Sequence, residues 1–358
     1  MTDGDARKPA RKPARRRKLL GFFAGFVVTL LVVAAGASWF IIDQRRSLDD
    51  ALAVPAGGLD YTLPTGASLH RIARDLADRG VLANPKALVV YARWHGRAGA
   101  IKAGEYRIEA GTTAITLLDQ LIAGRVVQHP LTLVEGWTFK QMMAAIATDD
   151  RLEHTLIGLA EDAIMARLGL AGQHPEGRFF ADTYYFPRGT SDVAFLRRAH
   201  TAMSDFLDDA WAKRERGLPL KSPREALILA SIVEKETGES SERPRIAGVF
   251  VARLRKGMRL ETDPTVIYGM GEAFDGNLRR RDLRTDTPYN TYTRKGLPPT
   301  PIAMPGAAAI HAVLHPHTDD ALFFVAKGDG SHHFSATYEE HQQAVNRYQK
   351  RRRRSTGG

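Results

Sequence analysis

Ser222-Pro-Arg-Glu-Ala-Leu-Ile-Leu-Ala-Ser-Ile-Val-Glu-Lys-Glu-Thr237 reads as a buried helix that delivers carboxylates at its C-terminal end. Ser222 is a good N-cap, Pro223 falls at the first helical position, and Glu225 stands three residues after the cap, the spacing of a capping box. The body from Ala226 to Val233 is apolar all the way round, as expected of a core helix and not of a surface helix. It ends in Glu234 and Glu236. Two carboxylates against a core, at the negative end of a helix dipole, should hold their protons unusually well, because burial and dipole both disfavour the anion. A carboxyl group still protonated near neutral pH can serve as a general acid. Two residues apart on a helix, they point about 200° from each other, so one cleft can receive only one of them. Glu236 continues the Leu229–Ile232–Val233 stripe and lies nearer the helix end, which favours it; Glu234 is the near alternative, and both also fit plain helix-end glutamates paired with Lys235 and Arg243.

Outward from this helix, the 358 residues leave room for a membrane anchor and two or three modest domains. Residues 19–42 carry no charge and are long enough to span a bilayer. Residues 1–18 hold eight Lys/Arg against two Asp, which by the positive-inside rule keeps that end cytoplasmic and puts everything after the span on the far side. The formal charge of +11 is all at the ends: +6 from residues 1–18 and +5 from 350–354, leaving 0 between. A neutral body with basic ends is no footprint for nucleic acid. With no cysteine, the exported part relies on its core instead of disulfides.

After a stalk at 43–58, a Gly-x-Ser/Thr turn leading into an amphipathic helix occurs three times, at Gly66-Ala-Ser68, Gly111-Thr-Thr113 and Gly136-Trp-Thr138. With a second helix over 85–94 and a strand over 104–108, residues 59–127 read as a small β-α-α-β module, suited equally to glycan binding and to packing. Helices are expected near 152–169, 192–215, 223–237 and 244–256. Prolines 288, 298, 299, 301 and 305 mark a long loop without regular structure, of the kind that is usually functional. A β-hairpin over 321–335 and a helix from about Thr337 precede a basic tail at 350–358.

Asp263, before Pro264, is read either as an N-cap or as a second polar group of a cleft. Tyr289, Asn290 and Tyr292 in the proline-rich loop, and the aromatic run 178–187 with Tyr184, offer rings and an amide that suit a sugar chain, although such clusters also build cores. Six of the 12 histidines lie between His311 and His341, but no metalloprotease signature accompanies the His311/His315 pair. Serine-hydrolase, NTPase and dinucleotide motifs are absent.

Four stretches in order, Leu-Ala-Ser-Ile-Val-Glu-Lys-Glu-Thr (229–237), Met-Arg-Leu-Glu-Thr-Asp-Pro-Thr-Val-Ile-Tyr-Gly (258–269), Tyr-Asn-Thr-Tyr (289–292) and Gly-Leu-Pro-Pro (296–299), closely resemble the endolytic murein transglycosylases of the YceG-like family. Residues 176–186 look like that family's upstream motif. The resemblance implies an α+β chain: a single transmembrane helix, a LysM-like β-α-α-β module, and a mainly helical catalytic domain (128–349) with an added hairpin. It implies a cell inner membrane protein with a periplasmic catalytic domain, acting without cofactor on the MurNAc-GlcNAc β-1,4 bond of nascent peptidoglycan strands and working beside peptidoglycan synthases. It places the catalytic acid in the Glu-Lys-Glu element, at Glu236. Asp263, Thr262, Tyr289, Asn290, Tyr292, Ser231 and Tyr184 become the expected substrate contacts. The sequence departs from the family at Glu261, where Gln is common, and at Ala181 and Thr300-Pro301. A hydrolytic muramidase using Asp263 or Asp182 as its other carboxylate, or a non-catalytic peptidoglycan-binding scaffold, are the competing readings.

Overall fold

The computed structural model describes residues 14–350. The basic ends read at 1–18 and 350–358 fall largely outside these residues, as do several side chains of the expected span 19–42. Among the described residues no helix is long and apolar enough to cross a membrane. Helix and strand mix throughout, giving an α+β chain in two compact units, one through Val127 and one from Gln128.

The first unit holds α1 (Ala14–Asp49), β1 (Leu59–Leu63), α2 (Leu69–Asp78), α3 (Pro85–Trp94), β2 (Gly104–Ile108) and α4 (Ala114–Ala123). β1 and β2 pair antiparallel, Leu59 opposite Ile108. α2 buries Leu69, Ile72, Ala73 and Leu76, the spacing of one helical face. Of residues 43–58, read as a stalk, 43–49 continue α1 and the rest follow it without a helix, and Leu48 and Leu52 join this core.

The second unit begins with β3 (His129–Thr132), α5 (Phe139–Thr148), β4 (Leu152–Glu153), α6 (Glu161–Leu168), β5 (Thr183–Phe186), β6 (Thr190–Ser191) and α7 (Asp192–Ala212). It continues with α8 (Pro223–Glu236), α9 (Arg243–Arg255), α10 (Asp263–Met270), α11 (Arg280–Arg284), α12 (Ala307–Leu314), β7 (Phe323–Ala326), β8 (His332–Ser335) and α13 (Tyr338–Val345). α8 is the centre: every residue from Ala226 to Val233 is buried, and α7, α9, α10 and α12 all pack on it. Ser222 accepts from the Glu225 amide (3.3 Å), but the Glu225 carboxylate returns to the Lys221 amide (2.7 Å), one residue earlier than a standard capping box.

The three Gly-x-Ser/Thr turns begin α2, α4 and α5. Gly66, Gly111 and Gly136 have φ of 79°, 86° and 78°, and Ser68, Thr113 and Thr138 each accept a backbone amide of the first turn. A residue with a Cβ would be strained there, which is why the sequence spends a glycine each time. The helix expected over 152–169 shrinks to Glu161–Leu168. Ahead of it the buried Asp192 carboxylate takes the amides of Thr155 and Leu156, both at 2.8 Å, and so removes the donors a helix would need.

Candidate active site

Glu236 is the last residue of α8, and the chain turns extended at Thr237 (φ −144°, ψ 135°). Its carboxyl group is packed into the protein, accepts the Thr262 hydroxyl and makes no ion pair. Burial pushes it up to about 7, and the charge of Asp263 pushes the same way. The Thr262 hydrogen bond, His332 and Arg253 oppose the rise without cancelling it. A group so placed holds its proton through much of the neutral range.

Glu234 is differently employed. One oxygen takes Arg243 Nη2 at 3.0 Å and the other the Gly306 amide at 3.0 Å. It thereby ties α8 to the start of α9 and to the entry of α12. Burial raises its proton affinity too, while the Gly306 amide and Arg243 work against that rise. Two neighbouring acids thus divide into a free one and a clamped one.

The wall beside Glu236 is held by interactions far apart in sequence. Thr262 is the N-cap residue of α10, yet its side chain makes no cap bond and its hydroxyl is turned to donate to Glu236. Its amide donates to Thr291 Oγ1 (3.1 Å), and Thr265 Oγ1 donates to its carbonyl (2.8 Å). Asp263 is therefore not the cap that its Asp-Pro context suggests. It lies exposed one residue later, accepts the Tyr292 hydroxyl at 2.6 Å, and lines the same cavity as Glu236. Glu261, with φ 53°, is the one non-glycine residue at positive φ among the described residues. A side chain in that region costs about 1–2 kcal/mol. Arg253, 7 % exposed, holds the strained segment by donating to the Leu260 carbonyl (2.8 Å) and to Glu261 (3.3 Å), and reaches the Leu322 carbonyl (2.7 Å).

The structure gathers Glu236, Thr262, Asp263 and Tyr292 from the expected set and places the others elsewhere. Asn290 is fully buried and its amide is consumed by the backbone: it donates to the carbonyls of Asp282, Leu283 and Thr285 and accepts the Tyr292 amide. Its work is to pin the proline-rich loop, not to meet an acetamido group. Tyr289 stacks edge-on to Tyr268 and pairs its hydroxyl with Thr300 (2.8 Å). Ser231 is buried between the Ile228 carbonyl and the Ile302 amide. Tyr184 lies in the core against Phe195, its hydroxyl on the Phe180 carbonyl. Asp182 is exposed and caps its own loop at the Thr183 amide. His311 and His315 stack on each other at 4.5 Å, and among the described residues no group of three or more His, Asp or Glu is arranged to hold a metal.

Sequence reasoning missed Glu176, Arg253, Glu242, His332 and His341. Glu176 is 3 % exposed, takes the Phe139 amide (3.0 Å) and the Tyr268 hydroxyl (3.1 Å), and is pushed up to about 7 by burial. It joins α5 to α10 away from Glu236. Glu176 opens the 176–186 stretch that resembles the family's upstream motif, but its partners Phe139 and Tyr268 are 37 and 92 residues away, beyond any local pattern.

Two cavities meet at Glu236. One, of about 310 Å³, lies towards Glu135, Trp137 and Gln141; the other, of about 370 Å³, lies towards Asp263, Tyr292, Phe323 and His332. Fold and site together define an α+β protein in which a proton-holding carboxyl free of any ion pair, Glu236, lines two adjoining cavities. The chain belongs to the YceG-like family, whose sequence profile matches residues 61–347. It is similar to the endolytic murein transglycosylase of Bacillus subtilis, 31% identical over an alignment 307 residues long that covers 81% of this chain and 84% of that one. The protein of the same name from Streptococcus pneumoniae (strain R6) is 26% identical over a gapped alignment 363 positions long that covers 90% of this chain and 64% of the relative. A solved YceG-like protein from Listeria monocytogenes is 29% identical, covers 80% of this chain and 98% of its own, and superposes with a TM-score of 0.51.

Proposed function

We propose that this chain is an endolytic lytic transglycosylase that cuts the β-1,4 bond between N-acetylmuramic acid and N-acetylglucosamine within peptidoglycan strands and so terminates glycan elongation. The observation that carries the reading is Glu236, proton-retaining and unpaired, at the junction of two cavities. A groove continuing on both sides of the acid accepts the interior of a strand as well as its end. Protonated Glu236 donates to the glycosidic oxygen, and the C1–O4 bond breaks. The resulting carboxylate takes the proton of the muramic acid C6 hydroxyl as O6 bonds to C1, closing a 1,6-anhydro ring and restoring the acid. One carboxyl serves both steps, so the paired carboxylates of an ordinary glycosidase are not required.

The same proposal includes a membrane anchor over 19–42 with the N-terminus cytoplasmic and the cavities on the periplasmic side of the inner membrane. The apolar side chains of Phe23, Phe26, Leu30, Leu31 and Val33, all more than half exposed on α1, support it, as does the basic charge before them. Residues 59–127 would act as a LysM-like glycan-holding module, and peptidoglycan synthases as partners. A hydrolytic muramidase is the second reading, favoured by Asp263 sharing the cavity with Glu236.

Polymeric peptidoglycan digested with the full chain and analysed by mass spectrometry tests both. Anhydro-muropeptides, lost in Glu236→Gln, are expected. Products with reducing ends alone would replace transglycosylation by hydrolysis, and full activity in Glu236→Gln would remove the acid from the scheme.

A further inference from the structure

The cavity shared by Glu236 and Asp263 has a far wall built from β7, β8 and α13, and two imidazoles there are not explained by packing. His332 is gripped at two points by Glu242: its backbone amide donates to one carboxylate oxygen (2.9 Å) and its Nδ1 lies 2.7 Å from the other. Both side chains are mostly buried, 11 % and 16 % exposed. The ring is further fixed edge-on to Phe324 at 5.5 Å. A carboxylate only accepts, so Nδ1 carries a hydrogen toward Glu242 and the ring presents its other nitrogen, Nε2, outward. Nε2 has no hydrogen-bond partner among the described residues and is not sealed from solvent, while the ring lines the cavity. His341, on the same wall and stacked on Phe323 at 5.3 Å, has a buried Nδ1 with no partner. Burial, helped by the charge of Arg253, holds His341 towards its neutral form.

The surroundings narrow what such nitrogens can meet. Glu261 and Asp263 face the same space as Arg253 and outweigh its charge, so an anion is disfavoured, and among the described residues no metal-holding group is formed there. Aromatic faces from Tyr292 and Phe323 beside the unpartnered Nε2 of His332 suit a neutral pyranose with hydroxyl groups at its rim.

We infer that His332, oriented by Glu242, contacts the substrate: Nε2 hydrogen-bonds a hydroxyl of the sugar seated beside Glu236, with the His341 ring forming part of the wall of that subsite. This rests on the proposed glycan substrate. Glu242 touches no sugar; it is a positioning residue that fixes the ring and its Nδ1 hydrogen.

The test uses the full chain on isolated glycan strands. His332→Ala should lose about tenfold in kcat/KM, the worth of one neutral hydrogen bond, at an unchanged melting temperature. Glu242→Ala should do the same, and the double variant should be no worse than His332→Ala, since the two act as a unit. His332→Gln, which keeps a hydrogen-bonding group near the position of Nε2, should stay within about threefold of the parent and decides the matter where the alanine variant melts early. In a Glu236→Gln background, His332→Ala should weaken strand binding by a similar factor. Unchanged kcat/KM and binding in His332→Ala, a tenfold loss in His332→Gln without loss of stability, or losses that multiply in the double variant would each overturn the inference. Failure of the unsubstituted chain to cleave any strand would overturn the functional reading beneath it, which separates the two outcomes.

Discussion

Replacing Glu236 by Gln should abolish cleavage and make the protein more stable, but only at the pH where the acid would otherwise be charged. In the folded chain Glu236 titrates at about 7 against an ordinary value of 4.5. At about 1.4 kcal/mol per pH unit, the anion therefore costs the fold about 3 kcal/mol once both states are ionised. The folded state binds this proton more tightly than the unfolded chain does. Its stabilising contribution is complete below about pH 4.5, declines as pH rises, and is gone above about 7. Gln does not titrate and its amide oxygen can still accept the Thr262 hydroxyl. The variant should match the parent near pH 4.5 and exceed it by up to about 3 kcal/mol at pH 8, while kcat falls by about 10²–10⁴. Hydrogen exchange at the buried α8 amides, followed at both pH values, reads this difference within the second unit. A stability difference that is the same at pH 4.5 and pH 8, or a parent more stable than the variant at pH 8, would refute a buried proton at Glu236.

Three other substitutions separate support from chemistry. Glu234→Gln removes the partner of Arg243, whose side chain is 13 % exposed, and should cost about 1–3 kcal/mol in thermal or denaturant unfolding while kcat/KM stays within about tenfold; a loss of cleavage as deep as that of Glu236→Gln would shift the acid two residues. Asp263→Asn takes away a negative charge that raises the Glu236 proton affinity, so the alkaline limb of the pH–rate profile should move to lower pH. An unmoved or higher limb would count against the coupling. Asn290→Ala leaves three backbone carbonyls and one amide of the proline-rich segment without their buried partner and should destabilise by about 2–4 kcal/mol. Its activity should recover on cooling, which a lost sugar contact would not do.

What could be read from sequence is what local chemistry dictates. The caps at Ser68, Thr113, Thr138 and Ser222 and the helix at 85–94 depend on neighbours within four residues, and each stands where the pattern puts it. The site depends on partners far along the chain. Asp263 looks like a cap because Asp-Pro is a cap signal, but α10 begins at Asp263 itself, and the cap position falls to Thr262, whose hydroxyl donates to a residue 26 positions away. Asn290 looks like a ligand because it sits among aromatics, and only the folded loop reveals three carbonyls already claiming its amide. His332 and Glu242 are 90 residues apart, so no spacing rule joins them. The helix missing from 152–160 has the same cause, since Asp192 captures its first amides.

The Glu-Lys-Glu ending of α8 then has a physical sense that neither acid has alone. A buried carboxyl that must exchange its proton cannot also be tied to a cation, because an ion pair would stabilise the anion and return it to an ordinary acidity. Left unpaired at the end of a helix, the same group weakens the attachment of that end, by about 3 kcal/mol when charged. Glu234, two residues earlier and about 200° round the helix, is free to make the contacts that Glu236 must avoid. Its bonds to Arg243 and Gly306 fasten the last turn to α9 and α12 from the opposite side. Lys235 between them is exposed and donates to the Gly136 carbonyl at 3.2 Å, in the wall of the first cavity. The helix end is thus held by one acid and a lysine so that the other acid can remain reactive, and the two acidic positions should not exchange roles: moving the ion pair to Glu236 would extinguish the proton donor, however well the fold tolerated it.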